Sequence, residues 1–414
     1  MKTILIVATL DTKGTEVAFA KKQIEDLGAR TLLLDAGILG APTIEADITR
    51  EEVAIAAGLS IEAVREIPAE AEALGHMTKG AGTIAKRLAD EDQIHGVLGI
   101  GGGMGTAMGS GVMRALPIGI PKLMVSSQAG NPAVVGSAVG TKDLCMFHSV
   151  TDVVGINRLT RTVFTKACGA VVGMANADVK HEPSEKKTVA ICAKGTTEDA
   201  NRMIRQKLLD ADYQPMTFHC FGFGPASFEQ VLSDGYIDGG VIELASDWMD
   251  HIGGGDSFPP DDRYENAGRL GLPQVFIPGS CDFIAAAPGK FTGRLVQPHN
   301  RAVALYRSKK KELARVGEEI GQKLAKSKGA VTVVIPLQGF SVHDRKGGPL
   351  YDPKANAGFI DAISAFDGKF KIRKVDAHVN DQKFIDVVIE EFLENVNAVN
   401  LLSAPSSFGL ATTA

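Results

Sequence analysis

The chain has 414 residues, 44% of them hydrophobic and 22% charged, with a formal net charge of −5. That length exceeds one ordinary core, so two domains are expected. The acidic balance excludes nucleic acid and an anionic membrane surface as the main partner, and no run of about 18 apolar residues exists to span a bilayer.

The chain opens with "MKTILIVATLDTKG" (Met1 to Gly14). Its lysine and short apolar run imitate a signal peptide, but the run meets Asp11 and Lys13 with no small-residue cleavage site. It therefore reads as a first buried strand. Strands are expected at Thr3–Thr9, Arg30–Asp35, Gly96–Ile100 and Pro121–Ser126. Amphipathic helical stretches at Gly14–Leu27 and Ala69–Asp92 lie between them, and a helix follows at Asn157–Met174. Alternation of this kind belongs to a parallel sheet covered on both faces, hence to the α/β class. The five cysteines stand apart without a CxxC pair, which fits a reducing, cytoplasmic setting.

The polar stretch "ANADVKHEPSEKK" (Ala175 to Lys187) separates a first domain, 1–178, from a second, 188–402, with 179–187 as the linker. Beyond it the order restarts. "KTVAICAKGTTEDANRMIRQKLLDADYQPMTFHCFGFG" repeats the strand, threonine-bearing loop, helix, strand and glycine of "KTILIVATLDTKGTEVAFAKKQIEDLGARTLLLDAGILG". "IDGGVIELAS" sits where "IHGVLGIGGG" sat, and "LGLPQVFIPGS" echoes "IGIPKLMVSSQ". A helix at Arg301–Lys326, strands at Ala330–Pro336 and Lys369–Asp376, and a helix at Asp381–Val396 complete the second half. The tail from Ser403 reads as frayed. The expected architecture is two Rossmann-like parallel-sheet domains in tandem, consistent with a degenerate duplication.

"GVLGIGGGMGTAMGSG" (Gly96 to Gly111) carries the densest signal. Gly101, Gly102, Gly103, Met104, Gly105 and Thr106 fall where a strand ends and a helix begins, the edge at which open parallel sheets bind ligands. Unpaired N–H groups at a helix N-terminus attract anions, and glycine lets a phosphate approach the main chain. The Thr106 hydroxyl would add one donor. The stretch matches neither a Walker A loop nor the dinucleotide fingerprint, and a tight turn for close helix–sheet packing is the competing reading. The first strand ends at the same edge in "TLDTKG", placing Asp11, Thr12 and Lys13 in a loop. Lys13 could meet a phosphate and Asp11 a Mg²⁺ ion, with helix capping as the alternative for Asp11 and Thr12. Asp35, ending the second strand, stands where an acid commonly takes ribose hydroxyls. Phosphate loop, cation and acids together fit a nucleotide better than a bare anion.

The second half puts Glu243, Ser246 and Asp247 where the first has glycines. Its strand ends collect His219, Cys220, Asp282, His299, Asn300, Asp376 and His378. His219, Asp282, His299 and His378 are candidates for acid–base work on a small polar substrate in a cleft between the domains, against a reading as caps and linker hydrogen bonds. "GFSVHDRKGGPLYDP" (Gly339 to Pro353) reads as a lid or a surface loop.

"ATLDTKG", "GIGGGMGTA", "FHSVTDVVGINR", "FHCFGFG", "IPGSCDF", "PHN", "GGPLYDP" and "DAHVND", in that order, resemble a family of uncharacterised bacterial and fungal proteins. The same two domains form the N-terminal half of the tomato tobamovirus-resistance protein. The resemblance implies two Rossmann-like domains, a homodimer, and ATP with Mg²⁺ held by Asp11–Lys13 and Gly101–Thr106. It also implies a separately encoded TIM-barrel partner, since a barrel follows these domains in the plant protein. One stretch departs from the family: "SSQAGNPAVVGSAVGTKD" (Ser126 to Asp143) lacks the usual acid and tyrosine. Three readings of function follow. They are an ATP-binding protein, an enzyme of small carboxylated metabolites using the His/Asp cluster, and a regulatory subunit gated by ATP.

Overall fold

In the computed structural model, which describes residues 1–178 and 186–403, the apolar run Thr3–Ala8 forms β1 and is buried from Ile4 onward. Such a strand, covered on both faces, reads as a continuous apolar run rather than an alternating one. It is followed by α1 (Leu10–Asp26), β2 (Arg30–Asp35), α2 (Arg50–Ala56), α3 (Ile61–Arg65) and α4 (Glu70–Asp90). Then come β3 (Gly96–Gly101), α5 (Gly103–Arg114), β4 (Lys122–Ser126), α6 (Pro132–Val139), β5 (Leu144–His148) and α7 (Arg158–Asn176). The five strands form one sheet in the order β2-β1-β3-β4-β5, and every pairing in it is parallel. Helices α1 and α7 bury Val17, Ile24, Phe164 and Val171 on one face. Helices α4 and α5 bury Met77, Ile84, Met108 and Val112 on the other.

The second unit begins with β6 (Thr188–Ala193), a single 3-10 turn (Gly195–Thr197), α8 (Glu198–Asp210), β7 (Gln214–His219), α9 (Gly224–Ser233) and β8 (Gly240–Glu243). It continues with α10 (Trp248–Gly253), α11 (Asn266–Arg269), β9 (Gln274–Phe276), β10 (Phe283–Ala286), β11 (Val296–Pro298) and β12 (Ala304–Arg307). It ends with α12 (Lys310–Leu324), β13 (Val331–Pro336), α13 (Pro353–Ser364), β14 (Lys371–Val375) and α14 (Gln382–Ser403). The main sheet runs β7-β6-β8-β9-β13-β14 and is again parallel throughout. Its first five strands follow the strand order of the first unit. Between β9 and β13 a small antiparallel sheet, β10-β12-β11, is inserted.

The chain divides into two units, Met1–His181 and Glu182–Ala414, and both are α/β with Rossmann-like parallel sheets. Of the expected linker 179–187, residues 179–185 lie outside the described residues, as does the tail beyond Ser403. The helix expected over Arg301–Lys326 needs correction. Ala304–Arg307 is a buried strand bonded on both edges, and the helix starts at Lys310. The short helices α2, α3 and α6 and the edge strand β5 were not anticipated either. They are one to two turns long or partly exposed, and carry little periodicity to read. Among the described residues no helix is long and apolar enough to cross a membrane.

Candidate functional site

Strands β1 and β3 are neighbours, pairing Ile4 with Gly96 through Val7 with Gly99, yet the helices that follow them leave on opposite faces of the sheet. This is the topological switch point of an open α/β sheet, where a crevice must form. The crevice holds about 500 Å³. Its polar end is the start of α1 and the Gly101–Gly105 segment; its opposite wall is Ile38, Leu39, Val64, Ile67, Pro68 and Leu74.

The segment expected as a loop, Asp11–Thr12–Lys13, is instead the first turn of α1, which begins at Leu10 with Thr9 as N-cap. The backbone N–H groups of Thr12 and Lys13 bond back to the Thr9 carbonyl at 3.2 and 2.9 Å. The second helix, α5, has Gly102 at its N-cap, with no side chain covering its first turn. The N–H groups of Gly103, Met104 and Gly105 have no acceptor within the helix, as at any helix start. Two positive dipole ends therefore converge on one crevice.

The glycines separate into two kinds. A Cβ on Gly101 would lie 2.6 Å from the Gly105 Cα, so packing alone requires that glycine. Gly99 is confined by a side chain instead, with Met124 Sδ at 2.4 Å from such a Cβ. A Cβ on Gly103 would meet no atom within 4 Å, and one on Gly105 would make only an ordinary contact at 3.5 Å. Neither Gly103 nor Gly105 has a positive φ. Nothing in the protein's own packing calls for glycine at these two places, although a helical glycine costs roughly 0.5–1 kcal/mol against alanine.

The remaining expected residues divide in the same way. Asp11 accepts from the Gly40 N–H at 3.1 Å through Oδ2, while its Oδ1 is buried with no hydrogen-bond partner. Lys13 lines the crevice and donates one proton, to the Val153 carbonyl at 2.5 Å. Thr12 is exposed, with its hydroxyl 2.8 Å from that of Thr9. Met104 stands 41% exposed at the mouth. Two residues point elsewhere. Thr106 is fully buried and its hydroxyl is committed to the Gly102 carbonyl and the Ser126 hydroxyl, both at 2.6 Å. Asp35 is also buried, accepting from the N–H groups of Leu10 at 3.0 Å and Gly37 at 2.8 Å. Burial raises its pKa against those two hydrogen bonds. Thr106 and Asp35 hold the two helix starts in place and are not among the residues lining the crevice, where a donor and a ribose-binding acid were expected. The apolar wall, and Arg65 fixed by its bond to the Ile38 carbonyl at 2.8 Å, had no sequence motif to announce them.

A Mg²⁺ ion suits this donor set. Among the described residues no group of three His, Cys, Asp or Glu is placed to hold a metal. Magnesium asks for less, since it commonly takes one or two carboxylates and fills its shell with water and phosphate oxygens. The orphaned Asp11 Oδ1 would be one such ligand.

The second unit carries a buried charge cluster where the first has glycines. Strand β8 ends in Glu243 where β3 ends in Gly101, and the Arg263 guanidinium occupies the strand ends. It is fully buried, donating to both oxygens of Glu243 at 2.5 and 2.6 Å, to Glu229 at 3.0 Å and to Asp247 at 3.3 Å. Its plane lies 4.0 Å from the Tyr264 ring. Burial pushes the Glu243 carboxyl up to about 7 despite Arg263.

The four residues expected to form an acid–base cluster are not gathered. His219 and His299 line one small cavity. His378 is buried with both ring nitrogens engaged: Nε2 is 2.8 Å from the Ser341 carbonyl, and Nδ1 lies 3.1 Å from the Asn380 N–H and 3.0 Å from Arg345. Asp282 is fully buried on the other side of the same Ser341, its Oδ2 accepting from the hydroxyl at 2.7 Å and its Oδ1 left without a hydrogen-bond partner. Burial and the neighbouring Asp344 charge raise its pKa to about 7. The Gly339–Pro353 stretch is no free flap, because Phe340, Ser341, Asp344 and Leu350 are fully buried. Lys194, buried against Asp250 at 2.8 Å, escaped sequence reading because one lysine after a strand has no distinguishing pattern.

The profile of the N-terminal domain of the uncharacterised protein family UPF0261 matches residues 2–180, and that of its C-terminal domain matches residues 186–396. A UPF0261 protein of Clostridium tetani is 34% identical over 390 residues, covering 92% of this chain and 96% of its own length. The ToMV resistance protein Tm-1 of Solanum lycopersicum is 29% identical over 335 residues, which are 78% of this chain and 44% of the tomato protein. A solved structure of MurG from Acinetobacter baumannii aligns over 98% of this chain and 97% of its own at 14% identity, with a TM-score of 0.23. That last likeness is too loose to bear on function.

Two measurements test this geometry. Gly101→Ala should lower the urea-unfolding midpoint, with a cost on the order of 1–3 kcal/mol from overpacking against backbone. Gly103→Ala should leave it unchanged or raise it by up to about 1 kcal/mol. A carboxyl raised like that of Asp282 keeps its proton in the folded chain where the unfolded chain has lost it. Its contribution to stability is therefore present at low pH and is lost as pH rises from 3.8 through about 7. The slope from this one group is at most about 1.4 kcal/mol per pH unit. Thermal unfolding followed between pH 5 and pH 7.5 (about the upper half of that window) should show a flatter profile for Asp282→Asn than for the wild type.

Proposed function

The chain belongs to the uncharacterised protein family UPF0261, and on that footing we propose that its first unit binds ATP with Mg²⁺ at the carboxyl ends of β1 and β3. The observation that carries this reading is the pair Gly103 and Gly105. They are glycines without a packing reason, at a bare helix start facing a crevice of about 500 Å³. A phosphate brought against the main chain supplies the reason, because any side chain there would block it. The N-terminus of α1 stands beside it, and the Lys13 ammonium, with one proton on the Val153 carbonyl, adds a cation with donors to spare. Asp11, whose Oδ1 has no hydrogen-bond partner, would hold a Mg²⁺ ion, which would neutralise phosphate charge. The wall of Ile38, Ile67, Pro68 and Leu74 suits the flat apolar faces of a base.

Homodimerisation and a separately encoded barrel partner come with the family resemblance, a cytoplasmic setting with the scattered cysteines, and all three belong to the same proposal. Acid–base catalysis in the second unit has less behind it, since Asp282 and His378 are buried on either side of Ser341, away from the cavity that His219 and His299 line.

Calorimetric titration of the whole chain with ATP, with and without Mg²⁺, tests the reading. Micromolar affinity is expected. Lys13→Ala should weaken it roughly 10-fold to 100-fold, the worth of one charge-assisted hydrogen bond. Gly103→Val should weaken it at least as much while the unfolding midpoint stays at or near the wild-type value. Asp11→Asn should remove the gain from Mg²⁺. Absence of nucleotide binding, or binding indifferent to these variants, would assign the bare helix start to structure alone.

A further inference from the structure

The second unit contains a cavity of its own where β6 and β7 end, roofed by the antiparallel sheet. At about 220 Å³ it is too small for a nucleotide. It is somewhat larger than the roughly 150 Å³ that accommodates a single benzene ring. Phe283, Val303 and Leu305 make it apolar, and His219, His299 and Asn300 stand at its exposed rim. No carboxylate is among its lining residues.

The informative residue is Lys194. Its side chain is 6% exposed and its ammonium lies 5.3 Å from the centre of the Phe283 ring. One of its three protons goes to Asp250 Oδ2 at 2.8 Å, its one hydrogen bond among the described residues. The other carboxylate oxygen of Asp250 is already used, accepting from the Ala285 N–H at 2.6 Å. The pair is therefore unequal: the carboxylate is engaged at both oxygens, while the ammonium keeps donors to spare in a buried place. Buried donors left unpaired are costly. An acceptor entering the cavity that Lys194 lines supplies what the chain does not. Asn300 points the same way, since its Oδ1 is occupied by the N–H groups of Ala302 and Val303 at 2.8 and 2.9 Å. Its amide protons are the part left for a ligand.

We propose that this cavity binds a small monocarboxylate with an apolar body, its carboxylate turned toward Lys194 and its ring or branched chain against Phe283, Val303 and Leu305. The site is independent of the nucleotide crevice. Charge selects the anion, and the volume selects a body of one ring or one branched chain.

The test is saturation-transfer NMR and calorimetry on the whole chain with benzoate and 3-methylbutanoate, and with benzyl alcohol and inorganic phosphate as counterparts. A millimolar or tighter dissociation constant is expected for the two carboxylates. Asn300→Asp keeps the oxygen that caps the turn and adds a negative charge at the rim, so it should weaken carboxylate binding about 10-fold without loss of fold. Val303→Trp should abolish binding by filling the space. The proposal is overturned if neither carboxylate binds, if benzyl alcohol or phosphate binds as tightly, or if the affinity is the same in the folded Asn300→Asp variant.

Discussion

Everything about the first unit's crevice depends on one topological constraint, the divergence of α1 and α5 from neighbouring strands to opposite faces of the sheet. Parallel strands need crossover helices, and a sheet covered on both faces must change sides somewhere. At that place no helix crosses over the strand ends, and two helix starts meet around a gap, that of α5 without a capping side chain. The sheet order β2-β1-β3-β4-β5 puts the gap between β1 and β3. Asp35 and Thr106, both buried, hold the two helix starts at its rim.

The second unit obeys the same constraint and resolves it differently. Its strands follow the equivalent order, yet the ends of β6 and β8 carry the buried Arg263 guanidinium, 3.3 Å from Cys192 Sγ and held by three carboxylates. A buried cation of this kind has to be fully partnered, because an unpaired one would cost several kcal/mol. Arg263 thus does for the second unit what an external ligand would do for the first. Binding capacity in the second unit is displaced outward, to the cavity between the strand ends and the inserted antiparallel sheet.

Much of the fold was readable because the central strands are continuous apolar runs. β2 runs over Arg30–Asp35 as expected, and β3, β4 and β13 differ from expectation by one residue. Long helices with a clear apolar stripe, such as α4, were equally legible. Legibility failed where periodicity fails. The strand Ala304–Arg307 is four residues long and runs almost directly into a helix, so it merged with the helical pattern beyond it. The Asp11–Lys13 turn looked like a loop because its aspartate and threonine are common at caps and loops alike.

The sequence by itself determined the parallel α/β class, the two-fold repetition of strand and helix, and the crowding of glycine at the end of β3, since these rest on local pattern and composition. Tertiary structure decided which of those glycines serve packing and which stand open, because the answer depends on distances to Gly105 and Met124 that no local pattern contains. It also decided that His219 and His299 share a cavity while Asp282 and His378 do not, and that Lys194 and Arg263 carry the second unit's buried charge. Residues at successive strand ends are brought together or kept apart by loop paths and inserted elements. A chain read in one dimension has no measure of those paths.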